Sequence, residues 1–376
     1  MKLERYDAII IGGGVNGSAI TYNLAKRGKK VILLEKERLA SQASSAAAGM
    51  IAAQTELDED GPLFQLARKS RMMFGSLATE LKKHSGIDIE LINKGMYKVA
   101  STLEEEEELK KIIQIQNWLG EDAEWLSGSD LRLKEPALSN DVLGAMYVQM
   151  DGQVSAPKLT QAYAKSAAVL GAEIREFVDV YKINDENGVI TGVATNEGTF
   201  ASENVIVSTG AWSKRLLQNS GVEIEVYPVK GECFSVTAHH PIISSPIFSH
   251  GCYLVPKKGG RLIVGATVKP YTFNKKVTID GISTLMEKAK RLVPSIVEAE
   301  WEKAWAGIRP QTGDGLPYLG EHPYIRGLFI ATGHFRNGIL LAPITGELLA
   351  DFVERRPIDE KFVEAFQIER TLKTIV

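Results

Sequence analysis

The residues Tyr6-Asp7-Ala8-Ile9-Ile10-Ile11 run directly into Gly12-Gly13-Gly14-Val15-Asn16-Gly17, and no other feature of the chain narrows the fold as much. A β-branched apolar run of this kind belongs in the middle of a parallel sheet, buried on both faces. Gly12, Gly14 and Gly17 then meet the three steric demands of a dinucleotide fingerprint. The first permits a tight turn, the second lets a pyrophosphate approach the backbone, and the third lets helix and strand touch. From Ser18 to Arg27 the apolar residues Ala19, Ile20, Leu24 and Ala25 keep helical spacing, which Gly28 ends. A second strand, Val31 to Leu34, finishes at Glu35, 23 residues beyond Gly12. There a carboxylate accepts from a ribose 2′-OH and repels a 2′-phosphate, which disfavours NADP and leaves NAD and FAD both open. The helix N-terminus faces the phosphates. A purely structural glycine turn would need neither the flanking helix nor the acid at the strand end.

Two later segments repeat the grammar of apolar run followed by glycine, Val205 to Gly210 and Leu328 to Gly333. Both are expected in the same sheet, so the nucleotide-binding unit is discontinuous. We expect it over 1–85, 151–225 and 320–376, interrupted by a substrate-binding unit over 86–150 and 226–319. The interruptions alternate apolar and polar residues, as in Met96 to Val99 and Tyr227 to Val236, which predicts antiparallel strands solvated on one face. Cys252 to Val268 reads as two strands around a Lys257-Lys258-Gly259-Gly260 turn. A helix is expected from Thr102 to Leu119, with Thr102 and Glu105 as a capping box and Glu104 to Glu108 as a solvated face. The fold class is therefore α/β plus α+β, a Rossmann-like unit beside a mixed sheet.

Composition excludes several function classes. A length of 376 residues suits about two domains. A net charge of -3 offers no field for a nucleic acid backbone. No uncharged run approaches the roughly 20 residues that cross a bilayer. Two cysteines make no disulfide framework, and the start of the chain does not read as a signal peptide, so a reducing cytoplasm is expected. Cys233, His239, His240, His250 and Cys252 lie close in sequence, but without C-x-x-C or H-x-x-x-H spacing they predict no metal site. No G-x-S-x-G elbow is present to support a nucleophilic serine.

Taken in order along the chain, Tyr6 to Glu35, Ser44-Ser45-Ala46-Ala47-Ala48-Gly49-Met50, Val207 to Ser213, Pro228 to Glu232 and His334-Phe335-Arg336-Asn337-Gly338 resemble the FAD-dependent D-amino acid oxidase superfamily. Within it they are most similar to the bacterial glycine oxidases of the thiamine pathway. The resemblance implies FAD contacts at Val15, Asn16, Glu35, Lys36, Ala43, Ser44, Ala48, Gly49, Met50 and Val180, and along His334, Phe335, Arg336, Asn337, Gly338, Ile339 and Leu340. Small side chains from Ala46 to Gly49 agree with this, since they let backbone N–H groups approach a flavin or phosphate. It also implies a substrate carboxylate held by Arg309, Arg336 and Tyr253, for which arginine supplies two parallel donors. Gln311 to Gly320 lacks the cysteine through which the sarcosine oxidase relatives tether flavin, which implies non-covalent FAD. The implied reaction is oxidative deamination of glycine, sarcosine or a small D-amino acid by O₂, giving an oxo acid, ammonia or an amine, and H₂O₂. A homotetramer is implied as well. A flavin dehydrogenase with another acceptor, a non-catalytic FAD-binding subunit and an NAD-dependent dehydrogenase are the competing readings.

Overall fold

The apolar runs of the first reading meet in one six-stranded sheet. Its order is Tyr318–Glu321, Leu328–Thr332, Val205–Val207, Ala8–Ile11, Val31–Leu34 and Glu173–Arg175. The computed structural model describes residues 4–372, so positions 1–3 and 373–376 of the expected ranges lie outside the described residues. All neighbours in this sheet are parallel except Tyr318–Glu321, which turns back antiparallel along Leu328–Thr332. Ala8–Ile11 sits centrally, with Ile9 opposite Val205 on one side and Ile32 on the other.

Alternation of side chains across the strands divides the core. Ala8, Ile10, Val31 and Leu33 join a cluster under the helices Val15–Lys26, Pro62–Ser85, Ala156–Val169 and Gly338–Glu354. Ile9, Ile11, Ile32 and Leu34 face the other way, against a three-stranded antiparallel sheet of Val180–Glu186, Val189–Thr195 and Gly198–Ala201. Coverage of both faces is what the uninterrupted apolar runs require.

The second sheet is mixed and has nine strands. Val226–Thr237 lies antiparallel to Glu300–Thr312, Arg261–Gly265 and Lys269–Pro270, while Ile247–Ser249 runs parallel to Met96–Ala100. Here the expectation of strands solvated on one face is corrected. Met96–Ala100 is buried at four of five positions, and Val226–Thr237 is buried throughout its middle. The amphipathic helix Ile279–Leu292 covers one side of Val226–Thr237, joining Phe234 and Val236 to Leu285 and Ala289. Glu232 lies under the same helix and accepts from its N-cap Thr278 N–H at 2.8 Å, while Cys233 points to the opposite face, among Ala48, Tyr253 and Val255.

Two local boundaries also shift. The first helix opens at Val15 instead of Ser18, because Gly14 takes the extended N-cap conformation and Gly17 falls inside the first turn. The helix Leu103–Trp118 is capped by Thr102, which accepts from the Glu105 N–H, but the Glu105 carboxylate accepts from Ser101 N–H at 2.7 Å instead of closing the box on Thr102.

Candidate active site

The glycine turn builds a cradle with an open front. Gly12 has φ +106°, and a Cβ there would stand 2.5 Å from the Ser208 carbonyl oxygen. At Gly17 a Cβ would fall 1.9 Å from the Gly12 oxygen, so this third glycine brings helix against turn and does not face the cavity. At Gly14 the nearest atom to a Cβ is Ser44 Oγ at 3.3 Å, which leaves room for a ligand to approach. Ser44 Oγ accepts from the Val15 N–H at 2.9 Å. Asn16 Oδ1, beside it on the cavity wall, is buried with no hydrogen-bond partner among the described residues. An orphaned buried acceptor is costly unless a ligand or water completes it. Glu35 accepts from Gly13 N–H at 2.6 Å and Glu37 N–H at 2.8 Å, which fixes its carboxylate at the strand end. Burial nevertheless raises its pKa. Lys36 is exposed and paired with Asp179 at 2.8 Å, next to Val180.

At the far end two glycines seat two polar side chains. Tyr253 lies over Gly265, where a Cβ would meet its hydroxyl oxygen at 2.5 Å. Arg309 lies over Gly231, where a Cβ would meet Nη1 at 2.3 Å. The only side-chain hydrogen bond of Arg309 among the described residues goes to the Thr267 carbonyl at 3.3 Å, and no carboxylate pairs with it. Arg336 is different, because Nε and Nη2 donate to Glu56 at 2.9 and 3.2 Å. That carboxylate raises the guanidinium pKa, and Nη1 has no partner among the described residues. Burial raises the Tyr253 pKa well above the ordinary value, so the phenol keeps its proton and can donate. Its oxygen lies 3.5 Å from Cys233 Sγ, which burial likewise keeps as a thiol.

One cavity of about 560 Å³ joins both ends. Every cofactor and substrate residue expected from the sequence lines it, with the exception of Gly17. His334 lines it too, and burial pushes its pKa down to about 3. Its Nε2 is 3.0 Å from Thr345 Oγ1, so the ring is a neutral, weakly basic group. The helix Gly338–Glu354 begins on the wall without a side-chain cap, presenting free N–H groups and the positive end of its dipole. An orphan acceptor, a glycine cradle and the open N–H groups at the start of Gly338–Glu354 fit a dinucleotide cofactor.

Sequence reasoning missed Glu56, Gly231 as the seat of Arg309, and Gly265 as the seat of Tyr253. Glu56 stands in an acidic stretch with nothing to mark a partner 280 positions away. Among the described residues, no group of three or more His, Cys, Asp and Glu is placed to hold a metal ion. Cys233 and Cys252 are free and buried.

A dinucleotide cradle that opens onto an uncompensated guanidinium defines a nucleotide-cofactor oxidoreductase. The family model described as FAD dependent oxidoreductase matches residues 7–352, and the chain belongs to that family. It is 49% identical over 356 residues to the glycine oxidase of Geobacillus kaustophilus, covering 94% of each chain. The crystal structure of glycine oxidase from that organism matches with a TM-score of 0.94 at 47% identity, covering 97% of this chain and 99% of the other. The bifunctional protein ThiO/ThiG of Synechocystis is 35% identical over 98% of this chain and 54% of its own length.

Proposed function

We propose that the chain is a glycine oxidase in which Arg309 and Tyr253 hold the substrate carboxylate. The observation that carries this is the Arg309 guanidinium, partly buried in the cavity and without a counter-charge among the described residues. An arginine so placed is costly unless an anion completes it, and a carboxylate matches its fork. The protonated Tyr253 hydroxyl adds a donor, and the unpartnered Nη1 of Arg336 adds a second positive edge. Glu56 neutralises the rest of Arg336, which leaves the pocket with charge for one carboxylate.

FAD, held by the Gly12 to Gly17 turn and the start of Gly338–Glu354, would supply the hydride acceptor for the substrate α-carbon and the route of electrons to O₂ as H₂O₂. The chain positions the α-carbon by its carboxylate. His334 is too weakly basic to take a proton from an ammonium group, so the reactive substrate is the form that arrives with its amine neutral. The free N–H groups at the start of Gly338–Glu354 favour negative charge on the adjoining wall. Hydrolysis of the product imine gives glyoxylate and ammonia.

The residue roles expected from the sequence belong to this proposal, as does the division into an FAD-binding unit (1–85, 151–225, 320–376) and a substrate-binding unit (86–150, 226–319). So do non-covalent FAD, a cytoplasmic location and a homotetramer. Similarity to ThiO/ThiG supports delivery of the imine to thiazole synthesis for thiamine. No helix among the described residues is long and apolar enough to cross a membrane.

The test is glycine-dependent peroxide formation by the purified yellow protein, compared with sarcosine, D-alanine and D-proline. Arg309→Ala should raise the glycine KM steeply while FAD content stays at the parent value. Flavin that glycine bleaches without air, but with no peroxide in air, would replace the oxidase reading by a dehydrogenase. An unchanged KM in Arg309→Ala would remove that residue from the substrate site.

A further inference from the structure

A second cavity, also of about 560 Å³, adjoins the first and shares Gln42, Ala46, Ala47, Ala48, Lys275 and Gly307 with it. Its lining differs sharply in charge. Lys158, Lys257, Lys258, Arg261, Lys275 and Lys303 contribute six cations, against the single acid Glu90. Two of the six are matched, since Lys158 pairs with Glu90 at 2.8 Å and Arg261 pairs with Glu302.

The remaining four make no salt bridge among the described residues, although Glu90, Asp88 and Glu302 act at longer range on Lys257, Lys258 and Lys303. Lys257 donates to Gln153 Oε1 at 2.7 Å and to the Val154 carbonyl at 2.9 Å, both neutral acceptors. Burial pushes its ammonium pKa down to about 7, as expected of a cation with no adequate counter-charge. Lys275 donates to Gln42 Oε1 at 3.0 Å, and Lys303 lies 5.5 Å from the Trp305 ring centre. Lys258 is exposed at the rim and has no hydrogen bond or ion pair with another described residue.

Backbone and hydroxyl donors add to this field. The 14-residue helix Ala156–Val169 starts on the cavity wall, and its N-cap Ser155 makes no side-chain cap, which leaves the Ala156 and Lys158 N–H groups open. Ser41 and Ser45 lie on the same wall. Like charges gathered around one concavity are unfavourable unless an anion is taken up there. The use of lysine for five of the six cations favours phosphate, which point charges surround from several directions, over the planar fork that selects a carboxylate.

We propose that this second cavity binds a small phosphorylated molecule carrying two or more negative charges. The volume lies within the range of small-molecule pockets and exceeds what a lone phosphate needs. The shared Ala46 to Ala48 wall places its occupant beside the cofactor cavity, in a site that does not use Arg309. The inference goes beyond the proposed oxidation and does not depend on glycine being the substrate.

The probe is inorganic pyrophosphate, titrated calorimetrically into FAD-saturated holoenzyme in a buffer free of phosphate and sulfate. Saturation is expected at one pyrophosphate per chain. Lys258→Glu combined with Lys303→Glu should weaken binding at least tenfold, and the milder Lys258→Gln with Lys303→Gln should weaken it in the same direction. FAD content should match the parent in both variants. Saturating glycine should leave the affinity unchanged. The proposal is overturned by an absence of saturable binding, by equal affinity in the charge-reversed protein, or by displacement with glycine, which would assign the anion to Arg309. Peroxide formation from glycine is scored separately, so failure of one reading leaves the other standing.

Discussion

Replacing Gly231 by alanine isolates the positioning of Arg309 from its charge. Gly231 pairs with Gly307 across the long antiparallel ladder and has ordinary strand geometry, so an alanine backbone is accommodated without strain. Its Cβ, however, would stand 2.3 Å from Nη1, 2.4 Å from Nη2 and 2.5 Å from Cζ of Arg309. Ordinary contact requires about 3.4 Å or more, so the whole guanidinium must withdraw by about 1 Å. Misplacement on that scale costs on the order of 100-fold when a reactant must be held in an attack geometry. Gly231→Ala should therefore lower kcat/KM for glycine by roughly 100-fold, chiefly through KM. The FAD content and the thermal midpoint should hardly move, because the displaced atoms are the far end of a flexible side chain. Steady-state peroxide assays, with flavin absorbance per chain as the control, decide the matter. A kcat/KM within about threefold of the parent, with FAD retained, would refute the claim that Gly231 seats the substrate arginine.

Tyr253→Phe should cost about 1 kcal/mol, or roughly fivefold in kcat/KM, as expected for one hydrogen bond; abolished turnover would make the phenol a chemical participant. Glu56→Ala leaves the partly buried Arg336 guanidinium without its carboxylate and should destabilise the protein by about 3 kcal/mol in denaturant unfolding of the holoenzyme. The third test concerns Glu232, where burial would raise the carboxyl pKa but donors from Lys230 and Thr278 hold it down to about 2. A carboxyl whose folded pKa is depressed contributes stability above its unfolded pKa of 4.5 and loses it as pH falls toward about 2. Glu232→Gln should remove that part of the acid sensitivity and lower stability at neutral pH, as followed by unfolding between pH 2 and 7. A pH profile parallel to the parent's would refute this role.

The parts legible in the sequence are those that local chain chemistry determines. A strand, a glycine turn and a helix lie within 30 residues of one another, and steric limits on φ and ψ leave Gly12 to Gly17 few alternatives. Repetition of apolar run and glycine at Val205 and Leu328 was enough to bring three separate pieces of chain into one sheet. Arg309 and Tyr253 were named through the resemblance, and the cavity contains them both.

Tertiary structure alone decided what depends on distant partners. Whether Val226–Thr237 would be wetted on one face depended on a helix that docks from residues 279–292, and its apolar stripe covered the strand. Arg309 and Arg336 are chemically the same side chain, and nothing in their neighbouring residues says which has a counter-charge. Chain folding brings Glu56 to Arg336 across 280 positions and leaves Arg309 over a glycine, with the Thr267 carbonyl and the Phe335 ring beside it but no carboxylate among the described residues. Electrostatic energy depends on separation in space, which periodicity and motif spacing do not encode. The sequence therefore determined the nucleotide-binding frame, while only the assembled molecule decided which cation is free to hold a substrate.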